Sequence, residues 1–212
     1  MKKTILFDLD GTLTDSGEGI INCAIYALER FGLPVPAREE LRVFVGPPLT
    51  DTFVKFGVAQ ADVLDAVKFF RERYIPIGMY ENKPYPGIPK LLETLRNDGH
   101  ILCIATSKPE SMAIEILEYF DLKKYFHHIC GATLDHSRDT KEQVIAYLLS
   151  QCDSPHPWVM VGDTAFDVIG ATAHNIPAIS VAWGYGLVEE MQKAGATTIV
   201  YDTEKLLKEL QK

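Results

Sequence analysis

Hydrophobic and polar positions divide the chain into two textures. Thr4-Ile5-Leu6-Phe7 is a short apolar run ending in Asp8-Leu9-Asp10-Gly11-Thr12, which reads as a buried strand feeding a loop. The spacing then changes. Ile20, Ile21, Ala24, Ile25 and Leu28 recur at three- and four-residue steps and stop at Phe31-Gly32, which predicts a helix ended by Gly32. Leu33-Pro34-Val35-Pro36 is a turn, 39–44 a short helix, and Val45-Gly46-Pro47-Pro48 a stiff loop. Further helix is predicted over 51–56 and 61–75, so residues 16–80 hold helices without a clear strand.

A second texture begins at Pro84. Tyr85-Pro86-Gly87 is a turn, and 88–97 is a helix with Leu91, Leu92 and Leu95 on one face. Short apolar strands at 100–105, 128–130, 158–161, 178–181 and 198–200 then alternate with helices at 111–120, 141–151, 165–173 and 203–210. That alternation predicts an α/β protein whose mainly parallel sheet is covered on both faces and joined by right-handed crossovers. The expected architecture is a Rossmann-like parallel-sheet core, residues 1–15 and 81–212, with an inserted α-helical cap at 16–80. Its hinges are expected at 15–19 and 80–86.

Composition narrows the function classes. A chain of 212 residues can bury a real core and carry a small insertion. Hydrophobic residues at 47% and charged residues at 24% are those of a soluble globular protein. A net charge of −8 argues against general nucleic-acid binding and against anionic membranes. An anionic ligand would therefore need local positive groups. Cys23, Cys103, Cys130 and Cys152 are too scattered for a zinc or redox pair, and Cys103 and Cys130 lie in apolar stretches that suit buried thiols. His127-His128 reads as a strand start, because adjacent strand residues face opposite ways. No signal peptide is expected and no apolar run is long enough to span a bilayer, so a cytoplasmic location is the expectation.

Candidate chemistry starts at the first strand. Asp8 and Asp10 leave it on one face, roughly 6.6 Å apart. Two carboxylates forced together need a cation, a shared proton, or both. The layout suits Mg²⁺-assisted phosphoryl transfer, since Mg²⁺ favours carboxylate and carbonyl oxygens. Ligands of parallel sheets gather at the carboxyl ends of strands. Three further groups stand there or at a helix start: Thr106-Ser107-Lys108-Pro109, Lys141, and Gly162-Asp163-Thr164-Ala165-Phe166-Asp167. Each alone has an innocent use, as a helix cap or a solvated lysine. Their joint placement points to one site.

The run Asp8-Leu9-Asp10-Gly11-Thr12, followed in order by Thr106-Ser107, Lys141 and the pair Asp163 and Asp167, resembles the four motifs of the haloacid dehalogenase-like (HAD) phosphohydrolases. The chain as a whole is similar to their phosphoglycolate phosphatase-like subgroup and to bacterial proteins labelled nucleotidases, and 16–80 resembles that group's helical cap. The resemblance implies a Mg²⁺-dependent phosphatase acting on small phosphomonoesters, with phosphoglycolate and nucleoside monophosphates as candidates. It implies Asp8 as nucleophile and Asp10 as general acid, then base. Thr106, with backbone groups near Gly11 and Ser107, would hold phosphoryl oxygens, and Lys141 would hold both the phosphoryl group and Asp8. Mg²⁺ would sit on Asp8, the Asp10 carbonyl and Asp163, supported by Asp167. Arg42 and the loop containing Gly46 resemble the substrate-specificity loop of such caps; Lys55, Arg71 and Arg73 are further basic residues that could face the site. The third motif departs from the family: Ser137-Arg138-Asp139-Thr140-Lys141-Glu142-Gln143 lacks the common Pro-x-Pro, which leaves Lys108 as a competitor and Arg138 as a possible phosphate contact. The implied partner is a small phosphorylated metabolite, not nucleic acid or membrane, and the implied state is a monomer or homodimer. A sugar phosphomutase on the same core and a receiver-like phospho-switch are the competing readings.

Overall fold

In the computed structural model, which describes residues 1–135 and 137–212, strand β1 (Thr4–Phe7) is buried along its whole length. The chain then forms helix α1 (Gly17–Arg30), a 3-10 turn at Glu40–Phe44, α2 (Leu49–Lys55), α3 (Val63–Tyr74) and a second 3-10 turn at Gly78–Tyr80. The alternating part follows: α4 (Ile88–Asn97), β2 (Ile101–Pro109), α5 (Glu110–Tyr119), a 3-10 turn at Lys123–Tyr125, β3 (His128–Ala132), α6 (Lys141–Gln151), β4 (Trp158–Gly162), α7 (Ala165–Thr172), β5 (Ala178–Val181), α8 (Val188–Lys193), β6 (Thr198–Val200) and α9 (Thr203–Gln211).

The six strands form one parallel sheet in the order β3-β2-β1-β4-β5-β6. Central β1 pairs Thr4 with Ile101 on one side and with Trp158 on the other. Alternation along β1 assigns its side chains to two cores. Ile5 and Phe7 join the larger one, with Leu92, Ile104, Val161 and Leu206, and this core continues into Phe44, Phe53 and Phe70 of the helical insertion. Leu6 faces the other side, against Cys103, Val144, Leu148 and Met160. Burying both faces explains why the strands read as unbroken apolar runs.

Elements α8 and the end of β2 differ from the sequence expectation. Helix α8 has six residues and one buried position, Met191, too few for a periodic signal. Strand β2 runs past Ala105 because Thr106 pairs with Gly131 and Pro109 with Ala132 across an irregularity, a tertiary feature that no local pattern encodes.

The insertion leaves and rejoins the core through two adjacent chain segments. The Asp15 N–H donates to Lys83 O at 2.8 Å, Tyr85 N–H to Leu13 O at 3.0 Å, and Gly19 N–H to Glu81 O at 3.1 Å. Arg73 pairs with Glu81 at 2.7 Å beside this crossing. Among the described residues, no helix is long and apolar enough to cross a membrane.

Candidate active site

The sheet order reverses between β1 and β4, the strands that precede Asp8 and Asp163. A crevice opens outside the carboxyl ends of strands at such a reversal. The Asp8 N–H still donates to Val161 O at 2.9 Å, so the sheet fixes its backbone. The chain then turns sharply, with Leu13 and Thr14 N–H both donating to Leu9 O. Gly11 takes φ +79°, a left-handed conformation, and a Cβ there would fall into the Asp163 carboxylate. This glycine therefore lets the β1 loop lie directly on the β4 loop.

Three carboxylates converge in that crevice. Asp8, Asp163 and Asp167 are all buried and offer oxygens within 4.8 Å of one another. Lys141 reaches them from the start of α6, where Thr140 and Gln143 form a reciprocal capping box. Its Nζ lies 2.9 Å from Asp8 Oδ1 and 2.7 Å from Asp167 Oδ1, and donates to Ala105 O at 2.9 Å. Asp163 accepts from the Thr12 hydroxyl at 3.0 Å and the Tyr185 N–H at 2.8 Å.

The charges do not balance. Burial, with Asp167 and Asp8 adding to it, pushes Asp163 up to about 8. Burial also raises Asp167, against the opposing pull of Lys141. Burial would lower the Lys141 ammonium, but Asp167 and Asp8 outweigh it and hold its pKa above the ordinary lysine value. Three acids around one lysine would carry an excess of negative charge if all were ionised, and the raised Asp163 relieves it by holding a proton. An all-oxygen donor set with that excess fits a hard divalent cation such as Mg²⁺.

Asp10 takes no part in that acid trio with its side chain. Its Oδ2 lies 2.7 Å from Lys108 Nζ, and its buried Oδ1 has no hydrogen-bond partner. Lys108 also donates to the Tyr74 hydroxyl, which arrives from α3 of the insertion. Burial alone would lower Lys108; the neighbouring Asp10 and Tyr74 reverse that and keep it charged. Both candidate lysines are thus in the site, Lys141 on Asp8 and Lys108 on Asp10.

A cleft of about 110 Å³ opens beside Asp8 and Asp10. Thr106, Ser107 and Lys108 line its core side; Gly46, Leu49, Val67, Phe70, Arg71 and Tyr74 line the insertion side. The remaining sequence candidates lie elsewhere. Arg42 is exposed and stacks on the Tyr185 ring at 5.2 Å, outside the cleft lining, because the 3-10 turn at 40–44 buries Leu41 and Phe44 instead. Arg138 is a structural contact: it donates to Gly131 O at 2.8 Å, pairs with Glu110 at 3.0 Å and stacks on Tyr147. Lys55 is exposed and Arg73 belongs to the Glu81 pair.

Sequence reasoning included Thr12 in the first motif without a role, and missed Tyr74 and the Trp183-Gly184-Tyr185-Gly186 loop. The Tyr185 hydroxyl bonds to Asp15 and accepts from Gly17 N–H at 2.8 Å, while Trp183 Nε1 donates to Thr12 O at 3.1 Å. The available signal was position: a glycine-flanked aromatic loop directly after β5, at the same edge as the other strand ends.

Comparison with known proteins agrees with this fold. The family described as haloacid dehalogenase-like hydrolase matches residues 5–181. A protein of Pseudomonas aeruginosa named 5'-nucleotidase is 40% identical over 209 residues, 98% of this chain and 95% of that one. A Mycobacterium tuberculosis protein named tyrosine-protein kinase PtkA is 39% identical over 198 residues, 93% of this chain and 68% of its own length. The crystal structure of a predicted phosphatase from Clostridium acetobutylicum superposes with a TM-score of 0.94 at 41% identity, covering 100% of this chain and 99% of that one.

Proposed function

The chain belongs to the haloacid dehalogenase-like hydrolase family, and we propose that it is a Mg²⁺-dependent phosphatase that works through an aspartyl-phosphate on Asp8. The observation that carries this reading is the buried trio Asp8, Asp163 and Asp167 bridged by Lys141 at the strand-order reversal.

The chemistry needs each part. Uncatalysed phosphate-monoester hydrolysis is so slow that accelerations reach ~10²¹-fold. One positioned acid supplies only about 10²–10⁴ of that. Mg²⁺ on Asp8, the Asp10 carbonyl, Asp163 and Asp167 would neutralise phosphoryl oxygens that otherwise repel an anionic nucleophile. Asp8 forms the new oxygen–phosphorus bond while the bond to the leaving oxygen breaks, and Asp10 delivers a proton to that oxygen. Water then attacks the phosphorus, Asp10 takes its proton, and Asp8 leaves with inorganic phosphate released. Lys141 orients the attacking carboxylate through its contact with Oδ1. Lys108 holds Asp10 at the cleft wall. Thr106, Ser107 and backbone N–H groups near Gly11 receive the phosphoryl oxygens.

Residues 16–80 act in this reading as the cap on a core of 1–15 and 81–212, turning about the paired segments near Asp15 and Glu81 and excluding water when closed. The substrate is a small phosphomonoester met in the cytoplasm. Ile20, Phe44, Leu49, Val67, Phe70 and Met112 make the cleft wall apolar, which favours a nucleoside monophosphate over phosphoglycolate.

A panel of phosphomonoesters assayed for phosphate release, with Mg²⁺ or with chelator, tests the proposal. Release should need the metal and vanish in Asp8→Asn. Full activity of Asp8→Asn would remove the nucleophile assignment. Accumulation of an isomeric sugar phosphate without phosphate release would indicate a mutase. Because one relative carries a kinase name, a parallel arm with ATP and a tyrosine peptide belongs in the assay. Phosphotyrosine as the main product would replace the hydrolytic reading.

A further inference from the structure

Arg71 is the feature of the cleft that the proposed mechanism does not use. Val67, Phe70, Arg71 and Tyr74 recur at three- and four-residue steps, so one face of α3 lines the cleft. Within that face Phe70 and Tyr74 stack on each other, and Tyr74 is tied to Lys108. The other basic groups nearby are engaged: Arg73 with Glu81, Lys108 with Asp10, Lys141 with Asp8 and Asp167. Arg71 makes no side-chain hydrogen bond or ion pair with a described residue at the distances of those pairs. Burial lowers its pKa, and the more remote charge of Asp139, on the same cleft, only partly offsets this.

A half-buried guanidinium loses part of its hydration, and donors turned into the cleft then lack a protein acceptor among the described residues. The substrate would supply one. Its surroundings say what kind. The wall on the insertion side is mostly aromatic and aliphatic, and a cleft of about 110 Å³ approaches the roughly 150 Å³ that is known to take benzene. The matching group is ring-sized, apolar on its faces and equipped with an acceptor on its edge.

We propose that Arg71 is a specificity-determining residue that binds the acceptor edge of a heterocyclic ring on the leaving group, as in an oxo-base nucleoside monophosphate. This rests on the phosphatase reading of the site.

The test compares uridine and inosine monophosphates with phenyl phosphate, a ring without an acceptor, and phosphoglycolate, an acceptor without a ring, in wild type, Arg71→Met and Arg71→Lys. In Arg71→Met, kcat/KM for the nucleotides should fall about 10–100-fold, the loss of one hydrogen bond to a charged group, mostly through KM. Phenyl phosphate should fall less than about threefold, and Arg71→Lys should recover part of the nucleotide loss. Free uridine should inhibit phenyl phosphate hydrolysis by wild type more tightly than by Arg71→Met, which reads binding alone. Equal falls on phenyl phosphate and nucleotides would mean a structural arginine and overturn the inference, as would a loss confined to phosphoglycolate or no loss at all. Wild type that cleaves phenyl phosphate but no nucleotide would overturn it and leave the phosphatase reading standing. Wild type that cleaves nothing in the panel with Mg²⁺ would remove that reading itself.

Discussion

Replacing Lys141 with Met keeps an unbranched side chain one atom shorter and deletes the one cation among three buried acids. The ammonium touches two carboxylates and a main-chain carbonyl, and it is almost fully buried. Removing one partner of such a buried pair costs about 3–5 kcal/mol, because the charges left behind have no solvent. For a chain of this size each kcal/mol moves the melting temperature by roughly 2–4 °C, so metal-free Lys141→Met should melt about 6–20 °C below wild type at pH 7.5. Millimolar Mg²⁺ should raise the variant's melting temperature more than wild type's, since the cation now meets one more unpaired oxygen. Thermal melts by circular dichroism in chelator and in Mg²⁺ measure all of this. A variant that melts within about 2 °C of wild type in chelator would mean the acids are neutral without the lysine, and the charge argument for the site would fail.

Gly11→Ala should raise the Mg²⁺ concentration for half-maximal activity at least tenfold, because a Cβ at φ +79° costs about 1–2 kcal/mol and also displaces the Asp163 carboxylate; an unchanged Mg²⁺ titration would contradict the proposed ligand. Arg138→Ala should lower stability by about 1–2 kcal/mol through its lost carbonyl bond and its partly exposed Glu110 pair, yet leave KM for a phosphomonoester unchanged; a large rise in KM would restore it as a phosphate contact. Metal-free wild type should lose stability as pH rises. Asp163 moves from its ordinary 3.8 up to about 8 on folding, so the folded state binds the extra proton between those values. That contribution is complete below about pH 4 and gone once pH passes about 8, and Mg²⁺ should restore more at pH 8.5 than at pH 5.5. Melting temperatures that stay flat over this range in chelator would count against it.

Much of this molecule was legible without coordinates because two signals are local. Unbroken apolar runs such as Thr4–Phe7 and Trp158–Gly162 announce strands buried on both faces, and their alternation with amphipathic helices announces a parallel sheet. A parallel sheet exposes its strand ends on one edge, so Asp8, Thr106 and Asp163 were bound to meet. Contacts made between elements distant in sequence were not legible in this way. Lys108 and Lys141 both follow short polar runs, and only packing shows that one reaches Asp10 and the other Asp8. Arg42 and Arg71 are both basic residues of the helical insertion, yet the fold lays the first on Tyr185 and turns the second into the cleft. Periodicity specifies which face of an element is buried, because burial depends on a residue's own polarity. It does not specify which side chain lies opposite, since that depends on the relative position of elements far apart along the chain.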